Sequence, residues 1–168
     1  MELSLDCWIV AKPALTDAIQ DYLREIYKLG TDGGRVSVTA LAKRQQVSPA
    51  SASAMVKKLA ALDLAVHEPY RGITLTNAGE RVALEVIRHH RLLELYLAET
   101  LGVDVDEVHD EAERLEHVLS EELEERIDKA LGFPTHDPHG DPIPDANLKW
   151  PRPTSSAGSN HRAERRSF

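Results

Sequence analysis

The residues best suited to chemistry in this 168-residue chain are carboxylates and imidazoles that recur at helical spacing between positions 90 and 117. In Val108-His109-Asp110-Glu111-Ala112-Glu113-Arg114-Leu115-Glu116-His117, the side chains of Glu113, Glu116 and His117 stand as i, i+3 and i+4, so on a helix they project from one face. Two carboxylates and an imidazole pointing together can hold a divalent cation, because imidazole suits transition metals and carboxylates suit harder ions. His90 and Glu94 form a second group at i, i+4, and His109 lies one turn before Glu113. Antiparallel packing of the two helices would bring the groups together. A solvated acidic face is the plainer reading of any single Glu pair, since residues 76–147 hold 19 Asp and Glu. The histidines in the same segment tip the reading toward metal. A carboxylate-bridged metalloenzyme in a helical bundle needs Glu-x-x-His pairs on two helices. Glu113 is instead followed three residues later by Glu116, so the pattern points away from an enzyme.

A second constellation is cationic. Residues 35–74 hold six Lys and Arg against two Asp and Glu, within a chain whose formal net charge is −8. Arg35, Lys43, Arg44, Lys57, Lys58 and Arg71 are candidate phosphate partners, because cationic side chains displace the counterions condensed on DNA. Ser48, Ala50, Ser51 and Ser53 cluster at the start of a predicted helix; they are small enough to approach base edges but carry little hydrogen-bond code, so DNA shape must contribute to specificity. The acidity that would argue against nucleic acid lies in residues 76–147, with the candidate metal ligands.

Both constellations depend on helices to aim them. Leu15, Ile19, Leu23, Ile26 and Leu29 predict a helix over 15–29, stopped by Gly30 and Gly33-Gly34. Thr39 is expected to cap a helix over 40–46, and Ser48-Pro49 to cap and open a third running to about Leu62, with Ala52, Met55, Val56 and Leu59 facing inward. Strands over 64–68 and 72–76 flank the turn Pro69-Tyr70-Arg71-Gly72. Thr76 or Asn77 should cap a helix to about Leu101; Asp104 or Asp106 should open another to Leu119, and Ser120 a shorter one ending at Gly132. Helix, helix, turn, helix and hairpin is the order of a winged helix-turn-helix.

That order predicts a DNA-binding unit over residues 1–75, a helical unit over 76–147 whose spare apolar faces suit a homodimer seam, and a Pro/Ser/Arg-rich tail over 148–168 without structure. No apolar run approaches the ~20 residues of a membrane span, the first residues lack the pattern of a cleaved leader, and Cys7 is the single cysteine. The expectation is a cytoplasmic protein without a membrane partner.

Over about residues 15–145 the chain resembles the diphtheria toxin repressor family of iron- or manganese-dependent transcriptional repressors, especially its short manganese-transport-regulator branch. The resemblance rests on Asp21-Tyr22-Leu23-Arg24-Glu25-Ile26-Tyr27, Arg71-Gly72-Ile73-Thr74-Leu75-Thr76, Arg88-His89-His90-Arg91-Leu92-Leu93-Glu94, the 108–117 segment and His139-Gly140-Asp141-Pro142-Ile143-Pro144. It implies a mainly α fold, with an N-terminal winged helix-turn-helix followed by a helical metal-binding and dimerisation domain. It further implies a primary metal site at Asp21, Glu113, Glu116 and His117 and a second at His90, Glu94 and His109. Iron-responsive relatives carry a thioether and a thiol where Asp21 and Glu113 stand, and the harder oxygen donors here favour Mn²⁺ over a softer site, with Fe²⁺ as competitor. The manganese branch has a carboxylate where Arg24 stands, so the second site implied is a mixed one. An SH3-like domain found in longer members is not expected within these residues. The function implied is metal-activated repression of metal uptake genes, by a homodimer on a palindromic double-stranded DNA operator. An iron-dependent repressor of the same family and a metal-independent winged-helix regulator are the alternatives.

Overall fold

In the computed structural model, which describes residues 15–31 and 33–152, hydroxyl side chains start four of the six helices. Helix α1 (Asp17–Leu29) is followed by α2 (Val38–Arg44), α3 (Pro49–Ala61), the strands β1 (Ala65–Glu68) and β2 (Gly72–Leu75), then α4 (Asn77–Leu101), α5 (Val108–Leu115) and α6 (Glu121–Ala130). Ser37, Ser48, Thr76 and Ser120 each accept a backbone N–H three residues on, which satisfies one of the donors a helix start leaves unpaired. The expected cap of α2 was Thr39. The cap is Ser37, because Val36 alone is held extended, pairing through both its N–H and C=O with Ile73 and leaving the next residue free to turn.

α2 and α3 meet across a turn in which Gln46 takes a left-handed φ of 53°. β1 and β2 pair antiparallel, Ala65 with Leu75 through Glu68 with Gly72. The fold is a winged helix-turn-helix followed by a helical unit. Gly72, at φ 105°, closes the wing where a Cβ would come within 2.9 Å of the Val36 carbonyl oxygen. One core gathers Leu23, Ile26, Leu41, Val56, Leu59 and Ile73 under the helix-turn-helix; a second gathers Leu92, Leu93, Ala112, Ile127 and Ile143 around the far half of α4. α4 is therefore the spine shared by both units. It packs against α1 at one end and α5 and α6 at the other.

Two further expectations change. The helix expected to reach Leu119 stops at Leu115, and residues 116–118 form a turn. The tail expected to lack structure from 148 is placed as far as Arg152: a turn around Asp145 returns the chain to α1, where the Trp150 indole N–H donates to the Tyr27 hydroxyl at 2.8 Å and the rings stack at 6.3 Å. The Arg91 guanidinium covers the same indole at 5.5 Å. The rest of the tail, residues 153–168, and residues 1–14 of the DNA-binding unit lie outside the described residues.

Candidate metal centres and the DNA-facing surface

Asp21 is carried on α1, in the DNA-binding unit, while Glu116 and His117 follow α5 in the helical unit. Because α1 packs on α4 and α4 on α5, the three meet: one ligand atom from each lies within 4.8 Å of the others. His117 Nε2 is 3.1 Å from Asp21 Oδ1 and 3.4 Å from Glu116 Oε1. On the other side of the ring, Nδ1–H donates to the Gln20 side-chain oxygen at 3.1 Å, which leaves the Nε2 lone pair aimed at the two carboxylates. A metal-ligating histidine is commonly oriented in this way by the partner of its other nitrogen. Burial raises the Asp21 pKa, against the pull of Arg24 and His117.

Glu113 stands outside this group. Its carboxylate is 48% exposed, 3.6 Å from Arg24 Nη2 on one side and 3.6 Å from His109 Nε2 on the other. Between the carboxylates sits a cation of the chain's own. The Arg24 guanidinium hydrogen-bonds Glu116 and lies 3.2 Å from Asp21, while its buried Nε, 3.6 Å from Glu25, makes no hydrogen bond. Glu116 is itself fully buried, and a carboxylate there needs a counter-charge. The pocket is thus built for positive charge, and its donor set fits a divalent ion.

The second group is tighter. Glu94 Oε1 lies 2.9 Å from His90 Nε2 and 3.1 Å from His109 Nδ1, and those two nitrogens are 3.1 Å apart. Metal–ligand bonds of about 2.1 Å put neighbouring donors about 3 Å apart around one ion, so these three fit a common ion. His90 Nδ1 contacts Glu116 Oε2 at 2.6 Å, joining the two groups through one ring. Burial opposes a charge on His90, but the carboxylates of Glu116 and Glu94 outweigh it and push its pKa up to about 9. The same contacts with His90 and His109 outweigh burial at Glu94 and lower its pKa. His89, next along α4, belongs to neither group. Its ring joins the Glu116 carbonyl at 3.0 Å to the Glu124 carboxylate at 2.8 Å.

Every residue expected at DNA is exposed except Ser53, which is half-buried. Ser48 spends its hydroxyl locally, accepting the Ser51 N–H at 3.1 Å. Arg44 is paired with Glu25 at 2.6 Å, and Arg35 and Arg71 share Glu68 at 2.9 and 3.3 Å. Lys43, Lys57 and Lys58 extend from the two helices of the helix-turn-helix into solvent.

Two family models match in this order: the iron-dependent repressor N-terminal DNA-binding domain over residues 14–73, and the iron-dependent repressor metal-binding and dimerisation domain over 76–145. An uncharacterised helix-turn-helix transcriptional regulator of Methanocaldococcus jannaschii is 38% identical over 114 residues, 67% of this chain and 91% of that one. The chain belongs to the iron-dependent repressor family. Among other members, the diphtheria toxin repressor of Corynebacterium diphtheriae is 38% identical over 130 residues, 77% of this chain and 58% of that one. A manganese-dependent transcriptional repressor in complex with manganese superposes with a TM-score of 0.72 at 47% identity, over 81% of this chain and 63% of that one. This iron-dependent repressor family member therefore spans less than two thirds of the length of either. Gln20 was missed by sequence reasoning, and Arg24 was noticed only as a departure from a pattern. Both act through residues more than 90 positions away.

Proposed function

We propose that the chain is a metal-dependent transcriptional repressor in which a divalent ion, Mn²⁺ favoured and Fe²⁺ its competitor, acts as corepressor. The observation that carries this reading is that Asp21 lies in the DNA-binding unit while Glu116 and His117 lie in the helical unit, all within ligand reach of one another. An ion held by all three ties the units together, with Glu113 at the rim, 3.6 Å from the Arg24 guanidinium. In a homodimer that tie sets the spacing of the two α3 helices, which suits a palindromic operator whose half-sites lie one helical turn apart. Exposed apolar side chains in the helical unit, among them Leu101, Val118, Leu123 and Phe133, suit the dimer seam. The oxygen-rich primary centre supports Mn²⁺ relative to softer sites, although the intrinsic affinity order still ranks Fe²⁺ above it. Relatives that are named manganese- or iron-dependent repressors support the same role, and control of metal uptake genes follows from it. The chain is read as a regulator and not an enzyme, acting in the cytoplasm.

The test is operator binding titrated with Mn²⁺, with Fe²⁺ under anaerobic conditions, and with EDTA. Binding that appears with either ion and is lost on chelation is the expected result. Tight, specific binding indifferent to EDTA would instead establish a metal-independent winged-helix regulator.

A further inference from the structure

Half of the cations expected at DNA are engaged within their own unit. Arg44 is held by Glu25, and Arg35 and Arg71 by Glu68. Residues 1–75 as a whole carry nine Lys and Arg against eight Asp and Glu. A duplex is a dense row of negative charge, and the affinity for it comes largely from cations that displace its counterions. The chain holds more of these elsewhere. From Lys149 to Phe168 it has five Lys and Arg against the single acid Glu164. Lys149 and Arg152 are exposed and make no ion pair among the described residues.

The structure shows where that basic stretch starts. After Pro144, whose carbonyl accepts from Arg88 at 2.7 Å, the chain turns on Asp145. The Asp145 Oδ1 accepts the N–H groups of Asn147 and Lys149 at 2.8 and 3.0 Å, and Leu148 takes a left-handed φ of 60°. The turn delivers Trp150 to Tyr27 on α1, where one hydrogen bond, one stacked ring and the Arg91 guanidinium hold it. Trp150 there lines one cavity with Gly33 and Gly34 and with Thr74 and Leu75 of the wing strand β2. The basic stretch is therefore attached to the DNA-binding unit, beside its wing.

We propose that residues 149–168 are a further DNA-contacting element, anchored by Trp150, whose arginines neutralise backbone phosphates next to the site that α3 faces. The inference rests on the DNA-binding reading and adds a surface to it. Residues 153–168 can span up to about 50 Å at ~3.3 Å each, more than the ~34 Å of one duplex turn. Guanidinium groups pair with phosphate through two parallel hydrogen bonds and carry no base code, so the contact strengthens binding without changing the sequence preferred. Other polyanions offer the same charge, but the Trp150 anchor places the cations where a bound duplex is already at high local concentration.

The probes are a duplex selected from a random pool by the Mn²⁺-loaded full chain and an unselected duplex of the same length, each titrated at saturating Mn²⁺ across about 50–200 mM salt. Arg162→Gln/Arg165→Gln/Arg166→Gln in the full chain should weaken both duplexes alike and reduce the slope of log affinity against log salt by about 2.7, at ~0.9 for each phosphate. Across that salt range the wild type then loses about fortyfold more affinity than the triple variant. Lys at the same three positions keeps the charge and should restore the slope. Trp150→Ala leaves every charge in place but releases the anchor. It should weaken both duplexes in the wild-type background and add nothing in the triple variant, a coupling that a merely structural role of the indole would not produce. The proposal is overturned, and the repressor reading left standing, by a slope reduced by less than about 0.9, one phosphate's share. A Lys variant no better than the Gln variant does the same, as does a Trp150→Ala effect that is absent from the wild type or undiminished in the triple variant. A pool from which the wild type selects no duplex overturns both.

Discussion

Arg24 is the residue on which the primary centre turns. Its guanidinium reaches Glu116, Asp21 and Glu113 from within the site and is almost wholly buried, so it supplies the positive charge that would otherwise have to come from an ion. Removing one partner of a buried ion pair commonly costs ~3–5 kcal/mol, because the other charge is left uncompensated. Arg24→Met is therefore expected to lower the thermal midpoint of the metal-free protein and to enlarge the rise that Mn²⁺ produces, since a ligand of the native state stabilises it in proportion to how tightly it binds. Equal Mn²⁺-induced shifts in variant and wild type would show that the guanidinium and the ion do not compete. His90 and Glu94 were readable as a pair because helical spacing alone brings i and i+4 together, and His109 joined them as a site only through the resemblance. Asp21 came from resemblance alone. The roles of Arg24 and Gln20 were unreadable because they arise from contacts between distant segments, which no local periodicity records.

At the scale of elements, cap residues were good guides wherever one stood directly before a helical run, as Ser48, Thr76 and Ser120 do. α2 was misplaced by two residues because Ser37 and Thr39 are both competent caps, and the bridge from Val36 to Ile73 that decides between them is a pairing across 37 positions. α5 was drawn too long for a related reason. The turn at 116–118 is where His117 leaves the helix to meet Asp21 and Gln20. The junction of α4 with the hairpin is tight: a Cβ on Gly79 would fall 1.9 Å from the Leu64 carbonyl oxygen, so Gly79→Ala must push α4 away from β1. A destabilisation of about 3 kcal/mol is expected from the urea midpoint, at the upper end of usual overpacking costs. On α3, Lys57 is exposed and free of any ion pair among the described residues. Lys57→Gln should weaken operator and unrelated DNA alike, and should reduce the slope of log affinity against log salt by about 0.9 if it neutralises one phosphate.

For the whole molecule, the buried polar seam between α4 and α6 sets a pH window. Burial opposes charge on both His89 and Glu124, but their mutual hydrogen bond outweighs it, raising the His89 pKa from its ordinary 6.5 and lowering that of Glu124 from its ordinary 4.5. A raised histidine contributes stability that is fully present below 6.5 and lost as pH climbs through its folded value; a lowered carboxylate contributes above 4.5 and loses it as pH falls through its folded value. Urea midpoints of the chelator-treated protein should therefore separate wild type from Glu124→Gln most widely between pH 4.5 and 6.5, with the gap narrowing on either side. A constant gap across pH would mean that the pair does not titrate with folding.

The stacking of Trp150 on Tyr27 has an optical consequence. The chain has two tryptophans, and Trp8→Phe would leave Trp150 as its only indole. That fluorophore rests on α1, the helix that carries Asp21, and lies under Arg91, which also donates to the Pro142 carbonyl in the loop after α6. Its emission is positioned to register a shift of α1 against α4, so that the proposed metal-driven joining of the two units can be followed in real time without an attached dye.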